Sequence, residues 1–589
     1  GANTQWLIDA GADADSLYIT NAAERTSVEG GAGDDSINIG VVSKGLVLAE
    51  AGDDTIKVTG TGVTSASLKA GVGDDFMSIA GGVTDGSLFG GTGNDSFNFA
   101  GGKVTGFVDT GSGQDSLLFG ASGDSIILTG ALTDTSVNAG GGDDSLLISV
   151  KMSSASLVGG AGADTYNFTA GSASILATTI KGGAGADNIS LYGANDVVFN
   201  VASNDSVFGG TGADTLLFTG SVVHNSIQGG SGSDSIVMSG SGMTGNNIDV
   251  GVGTDTVKFT AATNADTVTV TSTTIAGAKS LTFEAAATAT AITTGAGADL
   301  VVFEDLVTGS GFISTNSGND SVQFLKSGKV PTVDLGAGAD SVYGAEIISA
   351  SSISGAAGKD TFLISTLSNA AIYGGSDQDS VNITGSLYGA TVDFGAGNEM
   401  FTLKVGATAS SIAGGTGNDT FIVGSSNLQT ASTISGGAGN DSVSFGGDLS
   451  GGKISGGNDH DTLNFSAGVN NSAIVSGDAG SDLLLFSSTL ATASVYGGAG
   501  GDSMILKGAA SNALIDFGAE NDTFTLSLAA STSTILGGSG ADTITVNLGA
   551  DVVVTGASGF VADLGGSGAG TFDVNLSAVM SARTAGGAF

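Results

Sequence analysis

Acidic residues recur along this sequence at a fixed stride, and their type and spacing suit one kind of chemistry. Asp15, Asp35, Asp54, Asp75, Asp95 and Asp115 follow one another at steps of 19 to 21 residues. Asp144, Asp164, Asp187, Asp214, Asp234, Asp255 and Asp299 carry the series on, with Asp196 and Asp205 set between Asp187 and Asp214 at nine-residue steps. Asp320, Asp340, Asp360, Asp379, Glu399 and Asp419 resume the stride, and Asp441, Asp461, Asp482, Asp502, Asp522 and Asp542 extend it. Nine of them stand sixth in the full pattern G-G-x-G-x-D-[S/T], as in Gly90-Gly91-Thr92-Gly93-Asn94-Asp95-Ser96 and Gly537-Gly538-Ser539-Gly540-Ala541-Asp542-Thr543, and most others in looser versions of it. Carboxylates beside glycine turns, whose carbonyls are exposed, are hard oxygen donors, and that donor set suits calcium.

The charge balance points the same way. Lys and Arg number 16 against 57 Asp and Glu, a formal charge of -41 at pH 7. A column of carboxylates about 5 Å apart would repel by under about 1 kcal/mol per pair in water and several-fold more where partly buried. The chain's own cations are too few to offset this. About 24 divalent ions, one between each adjacent pair of turns, would roughly cancel the charge. A competing account needs no metal: Asp caps glycine turns in many proteins by accepting backbone N–H groups. That account suffices for one copy, whereas a long column favours calcium.

Catalysis finds little footing. The two histidines, His224 and His460, are far apart, and there is no Cys. His460 lies inside a turn, in Asp459-His460-Asp461, and reads as an exposed turn residue, while the serines have no partnering base. The chain is therefore expected not to be an enzyme.

The residues after each Asp show what positions the column. Apolar and polar residues alternate, as in Asp461-Thr462-Leu463-Asn464-Phe465, the pattern of a strand with one buried face. The fourth residue after the Asp is repeatedly Phe, as at Phe99, Phe119, Phe168, Phe218, Phe445 and Phe465. An aliphatic residue stands two places before the next Gly pair, as at Val28, Leu88, Leu157, Ile412, Ile454 and Val495. Each unit is thus one coil of strand, turn, strand and glycine turn. Stacked coils pair like strands in parallel, giving two facing sheets with apolar ladders between them. The expected fold is all-β: an elongated parallel β-roll or β-helix solenoid of about 20-residue coils, with one Gly/Asp calcium turn per coil. Residues 1–262 and 296–550 read as regular coils, 263–295 as irregular coils with a possible kink, and 551–589 as terminal coils with the C-terminal edge.

Composition excludes several classes. Glycine is 102 of 589 residues, but it is not every third residue, and there is one Pro, Pro331, so the chain is not collagen. Without Cys it is not a disulfide scaffold. Its acidity argues against nucleic-acid binding, and no apolar run is long enough to insert in a membrane as a helix. The chain opens Gly1-Ala2-Asn3 with neither an initiator Met nor a basic-then-apolar leader, which suggests a processed or excised piece.

The repeated G-G-x-G-x-D-x-u-x unit, with u apolar, resembles the RTX or haemolysin-type calcium-binding repeat, and the resemblance covers nearly the whole chain. It implies a parallel β-roll in which successive turns clamp Ca2+ through the sixth-place acid and turn carbonyls, which would make the acidic residues named above the ligands. The chain departs from that family in its 20-residue unit, so one main calcium column is expected, with both edges loaded only between Asp187 and Asp214. Lys279 in the sixth place should leave a gap, and the longer Glu399 should bind less well.

The expected function is a calcium-dependent extracellular structural protein that assembles into a surface layer or filament. Head-to-tail or lateral association of copies would make it a homo-oligomer, and Trp6 and Val579-Met580-Ser581-Ala582-Arg583 are candidate joint residues, unless they are frayed termini. A cell-surface polysaccharide is the other candidate partner. The alternative is a stalk or ligand-binding module of a large RTX adhesin, in its sharpest form an ice-binding one. Thr92-Gly93-Asn94-Asp95 and Thr416-Gly417-Asn418-Asp419 fit an ice-binding array, but most turns carry Ala or Ser in place of that Thr. Calcium sites of this kind fill outside the cell, where binding energy becomes folding energy. The bacterial surface, reached by a type I-like secretion route, is the expected location.

Overall fold

Alternating burial after each glycine turn makes strands, and the strands stack on their own copies. In the computed structural model the strand Ser96–Phe99 buries Phe97 and Phe99 and pairs in parallel with Phe76–Ile79 on one side and Ser116–Leu118 on the other. The structure describes residues 6–547 apart from 129–131, 149–151, 169–174, 177, 192–205, 219–221, 223–224, 240–242, 261–262, 265–266, 270–279, 289–290, 309–310, 327, 330–331, 425–427, 430, 529 and 548–551, together with the strands Val552–Thr555, Val561–Gly565 and Phe572–Asn575. Among these residues there is no helix, so the all-β solenoid expected from the repeat is the fold observed. The chain divides into two compact units, Gly1–Asp305 and Leu306–Phe589.

In the first unit, strands before the glycine turns stack as Thr26–Ala32, Leu46–Ala51, Ser67–Val72, Gly82–Thr92 and Val104–Ser112. Their inner residues Val28, Val47, Leu68, Leu88 and Val108 form one buried ladder. Strands after the turns form the facing stack, with Ile39, Val58, Ile79 and Phe99 in register. Each such buried side chain contributes roughly 1.5–3 kcal/mol. The Phe rungs stack directly: Phe99 on Phe119 at 4.5 Å, and Phe259 on Phe283 at 4.6 Å. The latter contact carries the ladder into the irregular 263–295 segment.

The two stacks then exchange roles. Ser116–Leu118, which follows a turn, pairs with Ser136–Gly141, which precedes one. Val104–Ser112 pairs with Ser125–Leu128, which in turn pairs with Ser145–Ile148, a strand that follows a turn. The cause is a half-coil: Gly111–Phe119 and Gly120–Leu128 are two successive nine-residue turn-and-strand units, each with its own Asp.

In the second unit Ile353, Ile372, Val392, Ile412 and Ile434 form one inner ladder, and Val342, Phe362, Val381, Phe401 and Phe421 the other. Two strands per coil do not complete the coil. A third, two-residue strand adds its own narrow parallel ladder, through Leu449–Ser450, Val469–Asn470, Leu490–Ala491 and Ala510–Ser511, with Leu449, Val469, Leu490 and Ala510 inward. Leu132–Thr133, Met152–Ser153 and Ile175–Leu176 form a like parallel ladder in the first unit, with Leu132 and Met152 inward. The polar stretch after each Phe, read as connection from sequence, thus contributes a third wall. Its apolar residue is isolated, so it leaves no period-two signal.

Glycine is obligatory in the turns because coils approach backbone to backbone. Gly31 has φ 111°, and a Cβ there would strike the carbonyl of Gly11 in the preceding coil.

Candidate metal centre

The sixth-place acids form an inner ladder. Each accepts a hydrogen bond from the backbone N–H of its counterpart one coil earlier. In the first unit Asp15 donates to Asp35 Oδ1 (2.8 Å), Asp35 to Asp54 (2.7 Å), Asp54 to Asp75 (2.8 Å), Asp75 to Asp95 (3.0 Å) and Asp95 to Asp115 (2.9 Å). A second run begins where Val104 N–H donates to Asp124 Oδ1 at 2.6 Å, and it continues through Asp144, Asp164, Asp187, Asp214, Asp234 and Asp255. In the second unit the ladder runs unbroken from Asp320 through Asp340, Asp360, Asp379, Glu399, Asp419, Asp441, Asp461, Asp482, Asp502 and Asp522 to Asp542. Asp299 is buried like these, and Asp15 is half-buried.

The placement departs from a single column at Asp124. Asp124 is a member that the 20-residue stride passes over. It lies nine residues after Asp115, the same step that marks Asp187, Asp196 and Asp205, and that signal could have found it. Between Asp187 and Asp214 the column stays on one edge, because Asp187 N–H donates directly to Asp214 Oδ1 at 2.7 Å. Asp196, Asp205, Lys279, His224 and the segment from Val579 to Arg583 lie outside the described residues.

The fifth-place side chains form an outer ladder that runs in the opposite direction. Asp53 N–H donates back to Asp34 Oδ1 (2.9 Å), Asp74 to Asp53 (2.8 Å), Asn94 to Asp74 (2.7 Å) and Gln114 to Asn94 (2.8 Å). In the second unit Asn418 donates to Asn398, Asn440 to Asn418, and His460 to Asn440. Ser481 N–H then donates to His460 Nδ1 at 2.8 Å. His460 is therefore an exposed rung of this ladder.

The capping account explains one carboxylate oxygen of each acid and leaves the other unexplained. Oδ1 holds the neighbouring N–H. Oδ2 of Asp35, Asp54, Asp75, Asp95, Asp115, Asp124 and Asp144 is buried with no hydrogen-bond partner, as are Oδ2 of Asp340, Asp360, Asp379, Asp419, Asp441 and Asp461 and Oε1 of Glu399. Burying a polar oxygen unpaired costs about 1–3 kcal/mol, and more when it is charged.

Where the first place of the motif is glycine, the orphaned oxygen turns inward over it. A Cβ on Gly30 would lie 2.6 Å from Asp35 Oδ2 and 2.8 Å from the carbonyl oxygen of Ala49 in the next coil. On Gly209 it would lie 2.5 Å from both Asp214 Oδ2 and the Gly229 carbonyl oxygen. The same collision awaits Cβ atoms on Gly159, Gly355, Gly414, Gly436 and Gly456. Two acceptor oxygens thus face one small volume with no donor between them.

Burial is the largest cause raising these carboxyls. Asp75, Asp144, Asp360, Asp441 and Asp461 are pushed up to about 7, and Asp54 and Asp95 to about 6. The capping N–H opposes the rise, and neighbouring carboxylates add to it. At neutral pH Asp75, Asp144, Asp360, Asp441 and Asp461 call for a proton or a cation.

The donor set fits calcium. A hard cation takes carboxylate and carbonyl oxygens together, and the sixth-place Oδ2 and the next coil's first-place carbonyl supply one of each. No cluster of three or more His, Cys, Asp or Glu side chains occurs among the described residues, so the remaining ligands would be backbone carbonyls and water.

No protein-family profile matches the sequence, and no curated protein matches it. Among solved structures, the chain is similar to a hyperactive, Ca2+-dependent, β-helical antifreeze protein from an Antarctic bacterium, at 18% identity over 62% of this chain and 79% of that one, with a TM-score of 0.22.

Proposed function

We propose that this protein is a calcium-loaded structural solenoid of the cell exterior, whose copies assemble into a surface layer or filament. The observation that carries the reading is the column of buried sixth-place acids, each with one oxygen bonded and one orphaned against a backbone carbonyl. Calcium would be held by the orphaned oxygens of Asp35, Asp54, Asp75, Asp95, Asp340, Asp360, Asp419, Asp441 and their counterparts. Bound there, it supplies positive charge, which offsets desolvation and repulsion along the column. The chain's own residues do the rest. Oδ1 fixes each carboxylate by accepting a neighbouring N–H, a first-place glycine leaves room for Oδ2 at turns such as those of Asp35, Asp95 and Asp419, and the inner ladders exclude water from behind.

Such a fold couples assembly of the solenoid to extracellular calcium. The strand Trp6–Ala12 exposes Trp6 and Leu7, 68% and 62% accessible, and these are the residues on which an end-to-end contact would be sought. Ice binding as a module of a larger adhesin is the second reading. It needs a regular outward array, whereas the third-place positions in register here read Ala396, Thr416, Ala438, Asn458 and Ala479. Oδ1 of Asn94 and of Asn418 is also engaged by the next coil.

The test is electron microscopy and circular dichroism on the full chain in EGTA and after restoring millimolar calcium. Calcium-dependent β-structure with filaments or sheets is expected. Calcium-dependent folding without assembly would move the role to a stalk or binding module. Identical folded material with no bound calcium in both conditions would defeat the metal reading.

A further inference from the structure

Three departures from the repeat meet at one place in the second unit. The turn Gly374-Gly375-Ser376-Asp377-Gln378-Asp379 carries an acid fourth, where glycine is usual, and Asp377 holds φ 75°. The next turn, Phe394-Gly395-Ala396-Gly397-Asn398-Glu399, carries Phe first and Glu sixth.

At ordinary turns the orphaned oxygen turns inward over the first-place glycine, as Asp360 does over Gly355, Asp379 over Gly374 and Asp419 over Gly414. Phe394 has a Cβ there and a ring wholly buried beside Phe401, centroids 6.3 Å apart. A bulky first place does not by itself demand Glu, since Asp340 follows Leu335 and Asp522 follows Phe517, each with Oδ2 buried and unpaired. Glu399 keeps the capping bond, accepting Asp379 N–H on Oε2 at 2.6 Å. Its other oxygen goes elsewhere: a Cβ on the fourth-place Gly397 would collide with both Glu399 Oε1 and the Asp377 carbonyl oxygen. Glu399 is only 2% exposed, and Oε1 is buried without a partner. The Asp377 side chain is exposed, and its charge acts on both Asp379 and Glu399.

We propose that Glu399 and Asp377 form a divalent-cation site of a second kind, over the fourth place of the turn, with Glu399 Oε1 and the Asp377 carbonyl as ligands and the Asp377 carboxylate adding charge. The site rests on the calcium reading of the column and refines it. The longer Glu reaches the fourth place, and the acid at the strained position 377 gives the ion there its second charge. This ion is closer to solvent than those over the first-place glycines, so it exchanges first.

The test is an anomalous difference map from crystals of the full chain grown in calcium and soaked briefly in Tb3+. The expected result is a Tb3+ peak against Glu399 Oε1 and the Asp377 carbonyl while the sites of Asp379 and Asp419 still hold calcium. Ions at Asp379 and Asp419 with no density over Gly397 would overturn this site and leave the column intact. No ion at any turn would instead overturn the calcium reading itself. Asp377→Asn is the variant: its side chain is exposed, the coil keeps its capping bonds, and lower Tb3+ occupancy at this peak alone is expected. Unchanged occupancy would remove the Asp377 carboxylate from the site.

Discussion

Asp115 and Asp124 are nine residues apart and cap opposite edges of the solenoid. Asp95 N–H donates to Asp115 Oδ1 at 2.9 Å, and Val104 N–H donates to Asp124 Oδ1 at 2.6 Å. The turn at Asp115 leads from one sheet to the other, and the turn at Asp124 leads back, so the carboxylate column changes edge within one half-coil. If both runs hold ions, Asp115→Ala and Asp124→Ala should each expose backbone amides to hydrogen exchange on its own edge. Identical exchange patterns in the two variants would contradict the change of edge.

Removing calcium should reverse the pH dependence of stability. In EGTA the folded-state carboxyls of Asp75, Asp144, Asp360, Asp441 and Asp461 titrate near 7, above the ordinary value of 3.8. The folded chain then binds protons more tightly than the unfolded one. Stability should therefore rise as pH falls from about 7 toward 4 and level off below that. With calcium bound the ionised form is favoured, and stability should fall over the same range as protons displace the ion. Urea unfolding across this range in both buffers checks the sign, and parallel curves would count against cation binding.

Asp441→Asn separates capping from cation binding. The amide oxygen can still accept Asp419 N–H, and the amide nitrogen can donate toward the Gly456 carbonyl that faces the orphaned oxygen. The variant should be more stable than the parent chain in EGTA and less stable in calcium, by about 1–3 kcal/mol each way. Asp441→Ala also strands the Asp419 N–H and should be less stable in both buffers. Denaturant midpoints with and without calcium decide this.

Gly414→Ala should be costly although the change is one methyl group. The Cβ meets Asp419 Oδ2 and the Gly436 carbonyl, neither of which can yield without loosening the coil. A loss of about 1–3 kcal/mol is expected, with weaker calcium binding. Ala at the exposed third place, such as Thr416→Ala, should change neither. Calcium titrations followed by circular dichroism compare the two.

Damage to one coil should stay local. Each coil bonds mainly to its neighbours, so Asp340→Ala should raise hydrogen exchange near Asp320 and Asp360 and leave the coils around Asp502 protected. Loss of protection throughout the second unit would show a cooperativity that the stacked geometry does not predict.

Much of this molecule was legible in the sequence because the repeat does two jobs at once. The alternation after each Asp sets which side chains face inward, and near-identical coils leave one economical way to stack, like strand on like. Phe99 on Phe119 and Phe465 on Phe486 follow from that. The sixth-place acids could be named for the same reason. Three matters waited for the tertiary structure. Nine-residue spacing moves the column to the other edge after Asp115, yet a longer interval keeps Asp187 and Asp214 on one edge, since only strand pairing distinguishes a half-coil from an extended one. The third wall of Leu449, Val469 and Leu490 is built from single apolar residues that have no period to read. Which oxygen of each carboxylate is bonded and which is left facing a carbonyl depends on the offset between adjacent coils, and that offset is set by the packing of their backbones.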